Sequence, residues 1–288
     1  MSRAKLWILG SRPRTLPAAI APVLVGTGVS APHVLPGRAL LALMVALFLQ
    51  IGVNYANDYS DGIRGSDKKR VGPLRLVGSG NIPAAHVRNA AFLCFFIGAL
   101  AGLWLSLLTT PWLILVGAIS ILAAWGYTGG KRPYGYHGWG EISVFIFFGF
   151  VAVVGTHYVQ TERISLMSFI AAIPVGALAC ALLLTNNLRD LPRDAQVGKR
   201  TLAVKLGDQK TRTLYQFAIF ISFLSIAFLA GWRGGSVIAL TAGIFVIEPM
   251  KAIRAGARDM ELLPVLAATG KTQLAFSLFL AFGLAISA

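Results

Sequence analysis

The chain has 288 residues, 56% of them hydrophobic and 13% charged, with a formal net charge of +15. A soluble domain of this length carries about twice that share of charged residues, so the composition excludes a water-soluble globule and points to lipid as the solvent. The 2 cysteines, Cys94 and Cys180, lie in apolar runs without metal-ligand spacing, which excludes a disulfide framework and reads as two small buried hydrophobes.

Nine apolar runs follow one another, each near the length that crosses a ~30 Å hydrocarbon core. They are predicted at 14–31, 38–57, 87–108, 111–128, 141–160, 166–187, 213–231, 235–250 and 270–287, the eighth closed early by Glu248 and Pro249. The segment from Met1 to Gly10 has too short an apolar stretch for a signal peptide, so the first span is expected to do the targeting. Alternate loops fall on opposite sides, and the basic residues divide between them very unequally. One side carries all of the 26 Lys and Arg except Arg38, Arg163 and Arg233. Basic residues stay on the cytoplasmic side, which predicts a cytoplasmic amino terminus and an outer carboxyl terminus. The net charge then needs no nucleic acid; topology and contact with anionic lipid account for it. The expected class is an all-α polytopic membrane protein, one domain over residues 1–288.

The acids are sparse and clustered. Of 11 Asp and Glu, five lie in two short segments on the cytoplasmic side. The first holds Asn54, Asn57, Asp58, Asp61 and Asp67, and the second Asn186, Asn187, Asp190 and Asp194. Asn54 and Asp58, and Asn57 and Asp61, are four residues apart; Asn186, Asp190 and Asp194 repeat that step. On a helix such residues share one face. Stacked carboxylates at the edge of a low-dielectric region repel unless a cation neutralises them. Oxygen donors without His or Cys suit Mg²⁺, which keeps waters and binds together with phosphate. Bases stand beside both clusters: Arg64, Lys68, Lys69, Arg70 and Arg75 by the first, Lys199 and Arg200 by the second. With the glycine-rich stretch from Gly72 to Gly80 they suit a diphosphate. The four histidines offer no pair with ligand spacing.

These residues resemble the UbiA superfamily of intramembrane prenyltransferases. Asn57-Asp58-Tyr59-Ser60-Asp61 matches its first acidic motif, after the second helix, and Asp190-Leu191-Pro192-Arg193-Asp194 its second, after the sixth. The family's third aspartate is replaced here by Gly65, so Asp67 ranks below Asp58 and Asp61. The run from Asn57 to Asp67, the segment Gly72 to Val77 and the opening Ser11 to Ala18 resemble one branch, the 1,4-dihydroxy-2-naphthoate polyprenyltransferases. The resemblance implies nine transmembrane helices around a central cavity open to the cytoplasm. It implies Mg²⁺ held by Asn57, Asp58, Asp61, Asp190 and Asp194, with these aspartates and Lys199 in the chemistry. The binding shell is expected to be Asn54, Asn57, Arg64, Arg75, Tyr127, Arg132, Asn186 and Asn187. The partners implied are a polyprenyl diphosphate, the dihydroxynaphthoate and lipid, at a bacterial plasma membrane. Tyr127, Arg132 and Tyr134 read equally as interfacial anchors, and Glu141 as a residue suited to the positive end of its helix. Two other classes fit less well. A CDP-alcohol phosphotransferase would continue Asp61-Gly62-Ile63-Arg64 with an Ala-Arg step that is missing. A transporter would place its acids near the membrane midplane rather than at helix ends.

Overall fold

The computed structural model describes residues 2–65 and 75–288, and among these there is no β-strand. A short helix α1 (Arg3–Gly10) leads through a turn at Pro13–Thr15 into α2 (Pro17–Ser30), α3 (Pro36–Ile63), α4 (Ala84–Leu108) and α5 (Trp112–Gly126). After a turn at Tyr134–His137 come α6 (Gly140–Thr161), α7 (Leu166–Gln196), the short α8 (Leu202–Leu206), α9 (Asp208–Ala230), α10 (Gly234–Arg254) and α11 (Leu262–Ile286). Seven of these helices are long and apolar enough to cross a membrane, which makes the chain a multi-pass membrane protein. The other two apolar helices, α2 and α5, have 14 and 15 residues. At 1.5 Å per residue they reach only ~21–23 Å, short of a full span taken alone.

Every predicted run lies on one of these apolar helices, but the ends differ in an informative way. α3 continues six residues past the predicted end at 57, and α7 nine past 187. Asp58, Asp61, Asp190 and Asp194 therefore occupy the last helical turns. α11 begins eight residues early, because Leu262 to Ala268 is apolar and Pro264 is tolerated in a first turn. The short eighth run is wound as a 3-10 helix from Gly234 to Val246. At about 2.0 Å per residue its 13 residues reach ~26 Å where an α-helix would reach ~20 Å. A π-helical stretch, Phe145–Val151, interrupts α6.

Lipid tails are as apolar as leucine, so helices here associate by close packing and polar contacts. α7 is the most buried of the seven spanning helices. The main core joins Val25, Val175, Leu178, Tyr215, Phe276 and Leu280. Small residues set the closest crossings. A methyl on Gly283 would strike Gly235 O, and one on Gly28 would strike Ala281 at 2.6 Å. A second core, around Tyr55, Leu76, Val87 and Phe95, ties the residues after 75 to α3 and α4. Cys94 and Cys180 are buried free thiols.

Candidate active site

Between α2, α3, α5, α6 and α7 lies a cavity of about 320 Å³. Its walls are apolar along most of their length, with Val45, Leu49, Leu113, Phe147, Phe148 and Leu182, and polar at the end where α3 and α7 terminate. Gln50, Asn54, Asn57 and Asp61 line it from α3, spaced three or four residues apart on one face. Asn186, Asn187, Asp190, Arg193 and Asp194 line it from α7. The two acidic segments, 129 residues apart between Asp61 and Asp190, thus open into one space.

Lys199 joins them. Its Nζ lies 3.9 Å from Asp61 Oδ2 and 3.8 Å from Asp194 Oδ1. Arg75 Nη2 is 3.9 Å from the same Asp61 oxygen. The other oxygen of Asp61 accepts a hydrogen bond from Tyr136 Oη. Burial, followed by the charge of Asp61, raises the Tyr136 phenol above its ordinary range, so it stays a neutral donor. Asp190 is held differently: Arg189 donates to its two oxygens from Nε and Nη2, both at 2.8 Å. Arg189 is itself buried and also donates to Asn186 Oδ1 at 2.7 Å.

These partners determine which end each amide turns outward. Asn54 Nδ2 donates to Ser11 O at 2.8 Å, which leaves its oxygen available. Asn187 Nδ2 donates to Glu141 Oε1 at 2.9 Å, with the same result. The oxygens of Asn57 and Asn186 already accept, from Thr128 Oγ1 at 2.6 Å and from Arg189. The bonds from Asn54 and from Gln50, which donates to Thr15 Oγ1, also fasten the Ser11–Thr15 segment over the cavity. Arg12, with φ of +52°, lines the cavity from that segment.

Three of the expected site residues lie off this cavity. Asp58 does not line the cavity. Its side chain is 1% exposed and accepts from the main-chain N–H of Leu76 and of Val77, at 2.9 and 3.0 Å. At four residues from Asn54 it shares that helix face only loosely, and the returning chain after Arg75 captures it. Arg64 donates to Thr128 O and Gly130 O, at 2.7 and 2.6 Å, and lines a second, outer pocket. Arg132 is exposed and lines neither space. Tyr127, Arg75, Asn186, Asn187 and Lys199 line the cavity. Asp67, Lys68, Lys69, Arg70 and the stretch from Gly72 to Leu74 fall outside the described residues. Sequence reasoning assigned no role to Arg12, Gln50, Thr128, Tyr136 or Arg193. A signal for Arg12 was present in the Pro-flanked basic run before α2, and one for Tyr136 in the aromatic loop already noted for Tyr127 and Tyr134.

Among the described residues no three acidic, His or Cys side chains converge to cage a metal ion. What does converge is a pair of carboxylates, Asp61 and Asp194, across one ammonium, with Asp190 and two outward amide oxygens on the same cavity. That all-oxygen, incomplete set fits a hard divalent ion finished by water and phosphate oxygens. Lys199 and Arg75 beside it suit the remaining phosphate charge.

A family model described as the UbiA prenyltransferase family matches residues 19–261. The chain belongs to the UbiA prenyltransferase family. Among its UbiA-family relatives, a 1,4-dihydroxy-2-naphthoate octaprenyltransferase of Mycobacterium tuberculosis is 50% identical, over 97% of this chain and 96% of the relative. A protein of the same description from Escherichia coli is 35% identical, over 100% and 97%. The fold is also that of a UbiA homologue from Archaeoglobus fulgidus whose structure is bound to GPP and Mg²⁺, with a TM-score of 0.67, 15% identity, and 97% and 98% of the two chains covered.

Proposed function

We propose that this UbiA-family protein transfers a polyprenyl group from its diphosphate to 1,4-dihydroxy-2-naphthoate, releasing diphosphate and CO₂ and giving demethylmenaquinol for menaquinone synthesis. The observation that carries the reading is the joining of Asp61 and Asp194 through Lys199 at the polar end of an otherwise apolar cavity. The relatives that match over nearly the whole chain supply the acceptor.

The residues divide the work. The apolar walls take the prenyl chain and keep water from the allylic cation. Asp61, Asp190 and Asp194, with the amide oxygens of Asn54 and Asn187, would hold Mg²⁺. When bound, that ion supplies Lewis-acid neutralisation of the diphosphate oxygens. Lys199 and Arg75 remain in place as diphosphate charge grows on departure, and fixed charges of this kind need no reorganisation during the step. The acceptor attacks the cation through the ring carbon that bears its carboxyl group, and that carbon then loses CO₂. Asp58, by holding Leu76 and Val77, sets the position of Arg75. The nine apolar helices would form nine spans, the two short ones completed by their flanking turns. The amino terminus and the mouth of the cavity would face the cytoplasm of a bacterial cell and the carboxyl terminus the outside, as the division of Lys and Arg favours.

The test uses purified protein, a polyprenyl diphosphate, Mg²⁺ and dihydroxynaphthoate labelled at the carboxyl carbon. Labelled CO₂ is expected to appear mole for mole with prenylated product and to stop on chelation. A prenylated product that keeps the label rejects the acceptor assignment.

A further inference from the structure

Tyr136 is a wall with a pocket on each side. Inward, its hydroxyl bonds Asp61, and Lys199 Nζ lies 4.8 Å from the centre of its ring. Outward lies a second pocket of about 450 Å³, lined by Arg64, Lys131, Tyr136, His137, Gly198 and Arg200 with Pro133 and Val197. The Arg64 guanidinium stands 5.2 Å from the same ring. Both pockets are built from the same three segments, in alternation. Asp61 and Lys199 face inward, while Arg64, three residues on, and Arg200, the next residue, face outward.

The outer pocket is held in shape. Arg64 is fixed by two main-chain carbonyls, of Thr128 and Gly130. Arg200 N donates to Tyr136 O at 2.9 Å, and Gly198, with φ of +76°, makes the turn that brings residues 198–200 against the 131–137 loop. Lys205 Nζ donates to His137 O and so closes that loop from behind. The described lining residues carry three permanent positive charges and no carboxylate. A concave basic pocket of that kind concentrates multivalent anions, and arginine side chains suit phosphate oxygens in particular.

We propose that this outer pocket is an anion-binding vestibule that takes inorganic diphosphate as it leaves the inner cavity past Tyr136. The identity of the anion rests on the transfer reaction proposed above; the basic pocket itself does not. The inner cavity supplies acids that share the diphosphate charge through a cation, and the outer one, among its described residues, supplies bases and no acid, so an anion released from the first meets a second site on its way to solvent.

The experiment is calorimetric titration of inorganic diphosphate into the full chain in phosphatidylcholine nanodiscs with Mg²⁺, the inner cavity first saturated with a prenyl thiodiphosphate. One further equivalent of diphosphate is expected to bind. The double substitution Lys131→Gln with Arg200→Gln removes two of the three charges from exposed positions. It is expected to weaken that second event at least tenfold while thiodiphosphate affinity stays within threefold, which also shows the variant is folded. No second equivalent in the unsubstituted protein, or one indifferent to the substitutions, overturns the vestibule. Loss of the second equivalent in phosphatidylglycerol nanodiscs assigns the pocket to a lipid headgroup and likewise overturns it. If the thiodiphosphate does not bind, the transfer reaction is what fails. Diphosphate titrated alone must then still show one equivalent that the double substitution removes.

Discussion

Asp58 and Asp61 sit in one motif, yet the structure gives them different work, and Asp58→Asn separates the two. The Asp58 carboxylate accepts two main-chain N–H groups at 2.9 and 3.0 Å in a site only 1% exposed. Hydrogen bonds to a charged group contribute about 1.5–3 kcal/mol each. Asparagine keeps one acceptor and turns its NH₂ toward the other N–H, so one bond is lost and a donor is left facing a donor. The expected loss of stability is about 2–3 kcal/mol. The residues released are those that place Arg75, whose Nη2 is 3.9 Å from Asp61. The KM for the prenyl diphosphate should therefore rise about tenfold, equivalent to ~1.4 kcal/mol, with the half-saturating Mg²⁺ concentration within threefold of the parent. Steady-state assays over a Mg²⁺ titration, together with thermal unfolding, read all three quantities. A tenfold or greater increase in the Mg²⁺ requirement with unchanged donor KM would show that Asp58 ligates the ion and would refute the positioning argument.

Asp61→Asn should behave oppositely, lowering kcat/KM by ~10²–10³, about 3–4 kcal/mol, and raising the Mg²⁺ requirement; a rate within tenfold of the parent removes Asp61 from the centre. Lys199→Gln takes the shared cation from Asp61 and Asp194, and a fall in kcat with Mg²⁺ still required is expected, whereas unchanged kinetics contradict its role. Cysteines placed at Arg163 and Arg254 in a background lacking Cys94 and Cys180 should label from opposite sides with an impermeant maleimide, position 163 from outside; labelling of both from one side rejects the topology. Gly283→Ala forces a methyl against Gly235 O, so unfolding should shift to lower temperature by the equivalent of about 1–3 kcal/mol, and an unshifted transition would show that the α10–α11 crossing relaxes freely.

Much of this architecture is legible in the sequence because a bilayer leaves few options. Backbone groups in hydrocarbon must bond within a helix, so each apolar run marks a helix, and the acids at Asp61 and Asp194 are conspicuous in a chain with 11 acidic residues. Asn54, Asn57 and Asn186, singled out by helical spacing, line the cavity, and Asn187 lines it beside Asn186. What spacing could not carry is the return of the chain. Asp58 looks like a ligand by its place in the motif, and only the approach of Leu76 and Val77 shows what it holds. Arg64 looks like a diphosphate group by proximity to Asp61, but one helical step turns it past Tyr136 into the outer pocket. Tyr136 acts through contacts with Asp61, Arg64 and Lys199, far from it in sequence, which periodicity does not report. The 3-10 winding of Gly234–Val246 was hidden for another reason: an apolar run shows which residues suit hydrocarbon and carries no record of the rise per residue.

The most direct test of the central claim offers the purified protein 1,4-dihydroxy-2-naphthoate and 4-hydroxybenzoate together, at equal concentration, with one polyprenyl diphosphate and Mg²⁺, and reads the products by mass. The account predicts a single dominant product, the prenylated naphthalenediol lacking the carboxyl group, with diphosphate and CO₂ released in equal amounts. Preferential formation of prenylated 4-hydroxybenzoate, or a naphthoate product that retains its carboxyl mass, would contradict it.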